Sequence, residues 1–228
     1  MPKPKIFGSL SHNIVFLKIL TTPTKNVLQK LDSSSFFKET DAYLAGGTAL
    51  ALHIGHRYSY DLDFFTPKEF QAEVLVQLIQ KYGQFKIENT SWQTIIGTFE
   101  GIKFSLFYYQ YPLLSPLTKI FTNANIASRK DIAAMKVAAI VQRGTKRDFI
   151  DLYFLLKNFT LKQALDLYSK KFQSLGASRT HVLKSLVYFA DAEGEPMPQL
   201  TEPLKWQKVK ELILKKAQEL IKIEVASE

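Results

Sequence analysis

The chain has no cysteine, which excludes a disulfide framework and every thiolate metal site and is compatible with a reducing cytosol. Histidine is scarce, 4 residues in 228, with no clustered pair at metal spacing, so a zinc site is not expected. No apolar run approaches the ~20 residues that span a bilayer. The stretch Ile14–Leu20 is short, carries Lys18 and lacks an Ala-x-Ala-like cleavage site, so it reads as an N-terminal strand or short helix rather than a signal peptide. The expectation is a cytoplasmic protein with no membrane partner. Acidic residues are in deficit, 21 against 30 Lys and Arg, and the deficit is local. Residues 1–128 carry a net +3, residues 129–190 a net +8, and residues 191–228 a net −2. Such asymmetry suits a polyanionic partner and, from charge alone, equally a solvated basic surface.

What remains is ample for folding. Apolar residues make up 46% and aromatics 13% of a length that suits one large domain or two small ones. A short amphipathic helix is expected over Thr24–Lys30 with Thr24 as its cap. Strand-like stretches follow at Tyr43–Ala45, Tyr60–Phe65, Phe85–Asn89, Thr94–Phe99 and Ile102–Tyr109, with Thr48–His53 helical and Thr66-Pro67 opening a helix to about Tyr82. Glu100-Gly101 marks a hairpin turn. From Arg129 onward the period is helical: Asp131–Gln142, Lys146–Asn158, Leu161–Phe172, Ser178–Ala190 and Leu204–Ile223. The reading is an α+β protein: a mixed sheet with flanking helices over residues 1–125, then an all-helical domain over 126–228.

The most informative segment runs from Tyr43 to Phe65. It holds Gly46-Gly47-Thr48, then Gly55-His56-Arg57, Ser59 and Asp61-Leu62-Asp63. Side chains alternate along a strand, so Asp61 and Asp63 face one way with Cα atoms roughly 7 Å apart, within reach of one hard cation. A Mg²⁺ bound by one or two carboxylates and substrate phosphates is the usual arrangement for phosphoryl transfer. The glycine turn opens a helix, whose free N–H groups and dipole favour phosphate.

These residues resemble the first motif of the nucleotidyltransferase AbiEii/AbiGii toxin family. The downstream Asp131-Ile-Ala-Ala-Met-Lys136 and Arg147-Asp148-Phe-Ile-Asp151 are similar to its helical motifs, so the likeness covers about residues 40–157. The resemblance implies a DNA polymerase β-like nucleotidyltransferase core followed by a helical domain. It implies that the paired aspartates bind Mg²⁺ and that the glycine turn holds an NTP. It also implies a toxin of a toxin–antitoxin or abortive-infection system, with tRNA as one acceptor and an antitoxin as a protein partner. One departure stands out. The superfamily places a third carboxylate on a neighbouring strand, and here that strand, Ile102–Tyr109, carries Ser105, while Glu100 lies in the preceding turn. The site then holds a single metal, borrows Asp148 or Asp151, or turns over weakly.

Each residue has a plainer alternative. Asp61 and Asp63 could decorate an exposed strand, but Leu62, Phe64 and Phe65 describe a buried one, where unpaired carboxylates are costly. Gly46 and Gly47 could be an ordinary turn; beside the aspartates they read as a phosphate cradle, with Thr48 adding a hydroxyl or N–H and Ser59 completing the motif. Arg57 reaches a phosphate as a planar fork or pairs with a carboxylate. Lys136 and Arg143 share a helix face as phosphate clamps, or are solvated cations. Arg147 contacts nucleotide or forms an i,i+4 pair with Asp151. Asp148 and Asp151 face the cleft, where either serves as general base. The aromatic run Phe104 to Tyr111 is mostly core rather than a base-stacking platform. The resulting function is transfer of a nucleotide from an NTP to an acceptor hydroxyl, on tRNA or another RNA. The alternatives are a degenerate protein that binds nucleotide or RNA without turnover, or one that modifies a protein hydroxyl.

Overall fold

Thr21, not Thr24, caps the first helix, α1 (Thr22–Asp32), accepting the Thr24 N–H while Pro23 occupies the first turn. In the computed structural model, which describes residues 16–176 and 178–225, α1 leads into α2 (Phe36–Thr40) and strand β1 (Tyr43–Leu44). Residues 14 and 15 of the Ile14–Leu20 run lie outside the described residues, and Leu17–Ile19 is one 3-10 turn. Helix α3 (Gly46–Ile54), β2 (Leu62–Thr66), α4 (Ala72–Tyr82), β3 (Phe85–Ser91), β4 (Thr94–Phe99), β5 (Ile102–Tyr108), β6 (Thr118–Lys119) and β7 (Asn125–Ile126) complete the mixed half.

The seven strands form one mixed sheet in the order β3-β4-β5-β2-β1-β7-β6. β2 lies near its middle, parallel to β5 with Asp63 opposite Ser105, and antiparallel to β1 with Tyr43 opposite Phe65. Leu62, Phe64 and Thr66 are buried and Asp63 and Phe65 take the other face, as period-two alternation requires. The buried face meets Phe36, whose ring stands edge-on to Phe64 at 5.5 Å and to Phe104 at 5.9 Å. Burying each such ring contributes roughly 1.5–3 kcal/mol. Glu100 and Gly101 turn β4 into β5 with φ of 51° and 78°, the left-handed pair that a two-residue hairpin uses.

Two expected boundaries move. Asp61 precedes β2 rather than lying inside a strand from Tyr60. Thr66 ends β2 instead of capping a helix: its hydroxyl donates to the Thr40 carbonyl and accepts the Lys68 N–H, and α4 starts only at Ala72.

After β7, which straddles residue 125, every named element is a helix: α5 (Arg129–Gln142), α6 (Lys146–Leu155), α7 (Leu161–Lys171), α8 (Arg179–Leu186), α9 (Ala190–Glu193) and α10 (Trp206–Val225). The expected Ser178–Ala190 helix is broken at Val187–Phe189. Two apolar clusters divide the molecule. One gathers the sheet with α1–α4 and the start of α5; the other gathers the rest of α5 with α6–α10, including Val209, Ile213, Ala217 and Leu220. α5 serves both cores, and its Ala133 and Ala134 are fully buried. The Asp131 carboxylate at its start accepts from Ser128, from the Leu114 N–H and from Lys171, all at 2.6–2.8 Å.

Candidate active site

α3 begins where β1 ends, so its first turn lies beside β2. Gly46 has φ +67°, and a Cβ there would stand 3.4 Å from Asp63 Oδ2. A non-glycine residue would be strained by the backbone and would crowd the carboxylate. Gly47 is needed for a different reason. A Cβ on it would lie 1.9 Å from Arg57 Nη2 and 3.4 Å from Asp151 Oδ2. The expected phosphate cradle is thus, at Gly47, a gap through which a buried arginine reaches a buried aspartate.

That arginine is one of three partners of Asp151, which is 0% exposed. Arg57 donates from Nε and Nη2 at 2.8 and 3.1 Å, His56 Nε2 donates at 2.7 Å, and Lys136 Nζ lies 2.7 Å away. Four donors saturate the carboxylate. Burial raises its pKa, but Arg57 and Lys136 outweigh burial and hold it well below the usual carboxylate range. Asp148 is similarly engaged: Lys136 Nζ at 2.9 Å, Arg143 Nε and Nη2 at 2.9 and 3.1 Å, and Thr145 Oγ1 at 2.6 Å. It too is held low against burial, by Lys136 and Arg143. Neither acid is placed as a free base. Both fix cations: Lys136 bridges them, only 4% exposed, while Arg143 keeps an exposed face on the cleft.

Among the described residues His56 Nδ1 has no hydrogen-bond partner, and burial lowers the ring's pKa despite the Asp151 hydrogen bond. Thr48 and Ser59 are also buried and internally engaged. Arg57 Nη1 donates to Ser59 Oγ at 3.3 Å; Ser59 and Thr48 hydroxyls meet at 2.7 Å; Thr48 donates to the Asp61 carbonyl. One chain of hydroxyls therefore ties Arg57 to the backbone that carries Asp61.

Asp61 and Asp63 differ from Asp148 and Asp151 because no cation sits firmly on them. Arg147 Nη1 stands 3.9 Å from Asp61 Oδ2, in place of the expected i,i+4 pair with Asp151. Asp63 accepts a hydrogen bond from Ser105; burial first, then the Asp61 charge, pushes its carboxyl above the ordinary value. Such a pair fits a hard cation that takes its other ligands from water and phosphate, as Mg²⁺ does. Among the described residues no cluster of three His, Cys, Asp or Glu could hold a metal, and a metal on this pair would take its remaining ligands from water and substrate. The position expected for a third acid is indeed Ser105, directly beside Asp63 in the sheet. Glu100 is elsewhere, bonded to Lys30 and the Gln84 N–H.

The aspartates open onto a cleft of ≈ 290 Å³. One wall is the sheet face of β5, β4 and β3. The other carries Lys136 and Arg143 from α5, with Thr145, Arg147 and Asp148 around the start of α6. Gly47, Thr48, Arg57 and Ser59 lie at its base. Three polar lining residues escape sequence reasoning: Glu88, Lys103 and Thr145. The Thr145 signal was its place before a helix start; Glu88 depends on a strand irregularity with no sequence mark. The aromatic run is largely interior, with Phe104 buried and Tyr109 and Tyr111 packed on Phe172.

An aspartate pair at a glycine-opened helix, on a mixed sheet capped by helices, defines a nucleotidyltransferase fold. The sequence profile described as nucleotidyl transferase AbiEii toxin, Type IV TA system, matches residues 29–121 and 110–219, and the chain belongs to that family. It is 42% identical over 186 residues to Uncharacterized protein aq_aa25 of Aquifex aeolicus (strain VF5), covering 79% of this chain and 88% of that one. Two solved structures share the fold. MenT4, a nucleotidyltransferase toxin from Mycobacterium tuberculosis H37Rv, superposes with a TM-score of 0.54 at 16% identity, over 87% of this chain and 86% of the other. The antibiotic-resistance factor ANT(2'')-Ia superposes with a TM-score of 0.50 at 12% identity, over 70% and 97%. No helix among the described residues is long and apolar enough to cross a membrane.

Proposed function

We propose that this protein is a cytoplasmic toxin that transfers a nucleotide from an NTP to a hydroxyl of RNA, with tRNA as the favoured acceptor and an antitoxin protein as its natural restraint. The observation that carries the reading is the pair Asp61 and Asp63, touched by no cation among the described residues but Arg147, at 3.9 Å, and lining one cleft with Lys136 and Arg143. Asp61 and Asp63 would hold Mg²⁺, which when bound supplies charge neutralisation on the phosphates. Lys136 and Arg143, pinned by Asp148 and Asp151, present preorganised positive charge to the leaving pyrophosphate; Arg147, 60% exposed, moves from Asp61 onto the phosphates. Gly47, in the first turn of α3, lines the same cleft, and a helix start favours phosphate. In-line attack by the acceptor oxygen on the α-phosphorus forms the new ester and expels pyrophosphate. Such chemistry is chiefly positioning and electrostatics, so the fixed cations matter more than any nucleophilic side chain.

The test is Asp61→Ala combined with Asp63→Ala. Transfer of label from NTP should vanish while the circular dichroism and melting temperature stay those of a folded protein; transfer at the wild-type rate would sink the mechanism. Total RNA and total protein, each incubated with all four labelled NTPs, identify the acceptor class. Ser105 favours a second reading, in which the protein binds nucleotide without turnover. It predicts Mg²⁺-dependent NTP binding with no label made covalent in either pool.

A further inference from the structure

In-line transfer requires the acceptor oxygen to enter opposite the leaving pyrophosphate. The cations that receive pyrophosphate all stand on the α5–α6 wall, so the acceptor must approach over the sheet, above β5, β4 and β3. Residues on that face follow from the register: Asp63 is opposite Ser105, Ser105 opposite Ile96, and Ile96 opposite Asn89. The acid that this face lacks at Ser105 is supplied further out. β3 slips register between Ile87 and Asn89, leaving Glu88 as an extra residue. A bulge of this kind re-aims a side chain, and bulges concentrate next to active sites. Here the extra side chain lines the cleft. Glu88 stands three strand spacings from Asp63, ~14 Å between backbones, room for the α-phosphate and the incoming oxygen between the two acids.

Of the cleft carboxylates outside the aspartate pair, Asp148 is saturated by four donors. Asp151 does not line the cleft. Glu88 has no hydrogen bond or ion pair among the described residues. We propose that Glu88 is the general base for the acceptor hydroxyl, an inference that rests on the transfer reading above. The acceptor O–H proton passes to the Glu88 carboxylate as the oxygen bonds to the α-phosphorus. The bond from the α-phosphorus to the bridging oxygen breaks, and its electron pair leaves with pyrophosphate. Lys103 faces the same space from β5, in register through Thr98 with Lys86 of β3; these two exposed cations suit an acceptor that is itself a phosphodiester chain.

The experiment uses the full-length protein with labelled NTPs and total tRNA, comparing single-turnover rates at saturation with Mg²⁺–NTP dissociation constants. Glu88→Gln should slow transfer about 10²-fold or more, the usual loss for a general base, with NTP affinity unchanged within about threefold. Glu88→Asp, which withdraws the carboxylate by one methylene, should fall between Gln and wild type. Because the side chain is exposed, neither variant threatens folding. A Glu88→Gln rate within about threefold of wild type overturns the assignment. So does a loss confined to tRNA or NTP affinity, which would make Glu88 a binding residue only. Wild-type protein that binds Mg²⁺–NTP yet labels nothing in total RNA or total protein overturns the transfer reading itself, and the base with it.

Discussion

Asp151 shows how much of this site is built out of sight. Its carboxylate, 0% exposed, satisfies Arg57, His56 and Lys136 at once. Removing it strands two buried cations, so Asp151→Ala should cost about 3–5 kcal/mol, read from urea denaturation; a loss under about 1 kcal/mol would contradict the buried-pair account. The same groups set the acid response. Asp148 and Asp151 are held low in the folded chain, whereas unfolded aspartates titrate near ~3.9. Between those values the unfolded chain binds more protons, so stability is full above about pH 4 and falls as the pH drops further. His56, held below its ordinary value by burial, adds stability present above ~6.5 and lost as the pH falls below it. Acid should therefore act in two steps, and His56→Gln should shrink the first; His53, also lowered by burial, keeps the remainder. At this scale the residue types and spacings were legible. Arg57 had been left open between a phosphate and a carboxylate, and the carboxylate is its partner. Asp148 and Asp151 were both expected to face the cleft, and only Asp148 lines it; that four donors occupy each was not legible, because Lys136 and the His56–Arg57 pair come from α5 and the α3–β2 connection.

Among elements, α5 decides how the halves meet. Its start is fastened by Asp131, whose carboxylate receives Lys171 at 2.8 Å, both side chains 0% exposed. Lys171 also donates to the Pro112 carbonyl, so one ammonium joins α5, α7 and the loop after β5. Lys171→Met should destabilise by about 3–5 kcal/mol because it leaves Asp131 buried and unpaired. Adding Asp131→Asn should recover part of that loss; strictly additive effects in the double-mutant cycle would refute the coupling. Periodicity made the helices and the four long strands readable, since each carries a continuous apolar stripe or alternation. β6 and β7, two residues each, are too short for any pattern, and they are seen only through pairing, β7 with β1 and β6 with β7. The bulge at Glu88 is likewise a property of the β3–β4 register, not of either strand alone.

For the whole molecule, the charge asymmetry survives folding. Of the twelve cations in residues 129–190, Lys136, Lys146 and Lys171 are buried; of the four acids, Asp131, Asp148 and Asp151 are buried. Nine cations against one acid, Asp166, thus remain outside the core, and the surface excess of the segment is still +8. If RNA is the acceptor, the logarithm of its affinity should fall linearly with log salt, with a slope of about −0.7 per contacted phosphate of a single strand. An acceptor affinity constant from 50 to 200 mM salt would exclude a polyanion. The basic bias was visible in the sequence, but which cations face outward was not, because three of them lie buried and engaged.

The hydroxyl chain from Arg57 through Ser59 and Thr48 to the Asp61 carbonyl has a mechanical consequence. Arg57 is anchored on α6 through Asp151, so the loop bearing Asp61 takes its position from the helical half rather than from the sheet alone. A shift of α6 would be transmitted to the loop bearing Asp61 without anything entering the cleft. The two halves work as jaws with a common pin, and the gap at Gly47 is the hole through which that pin passes.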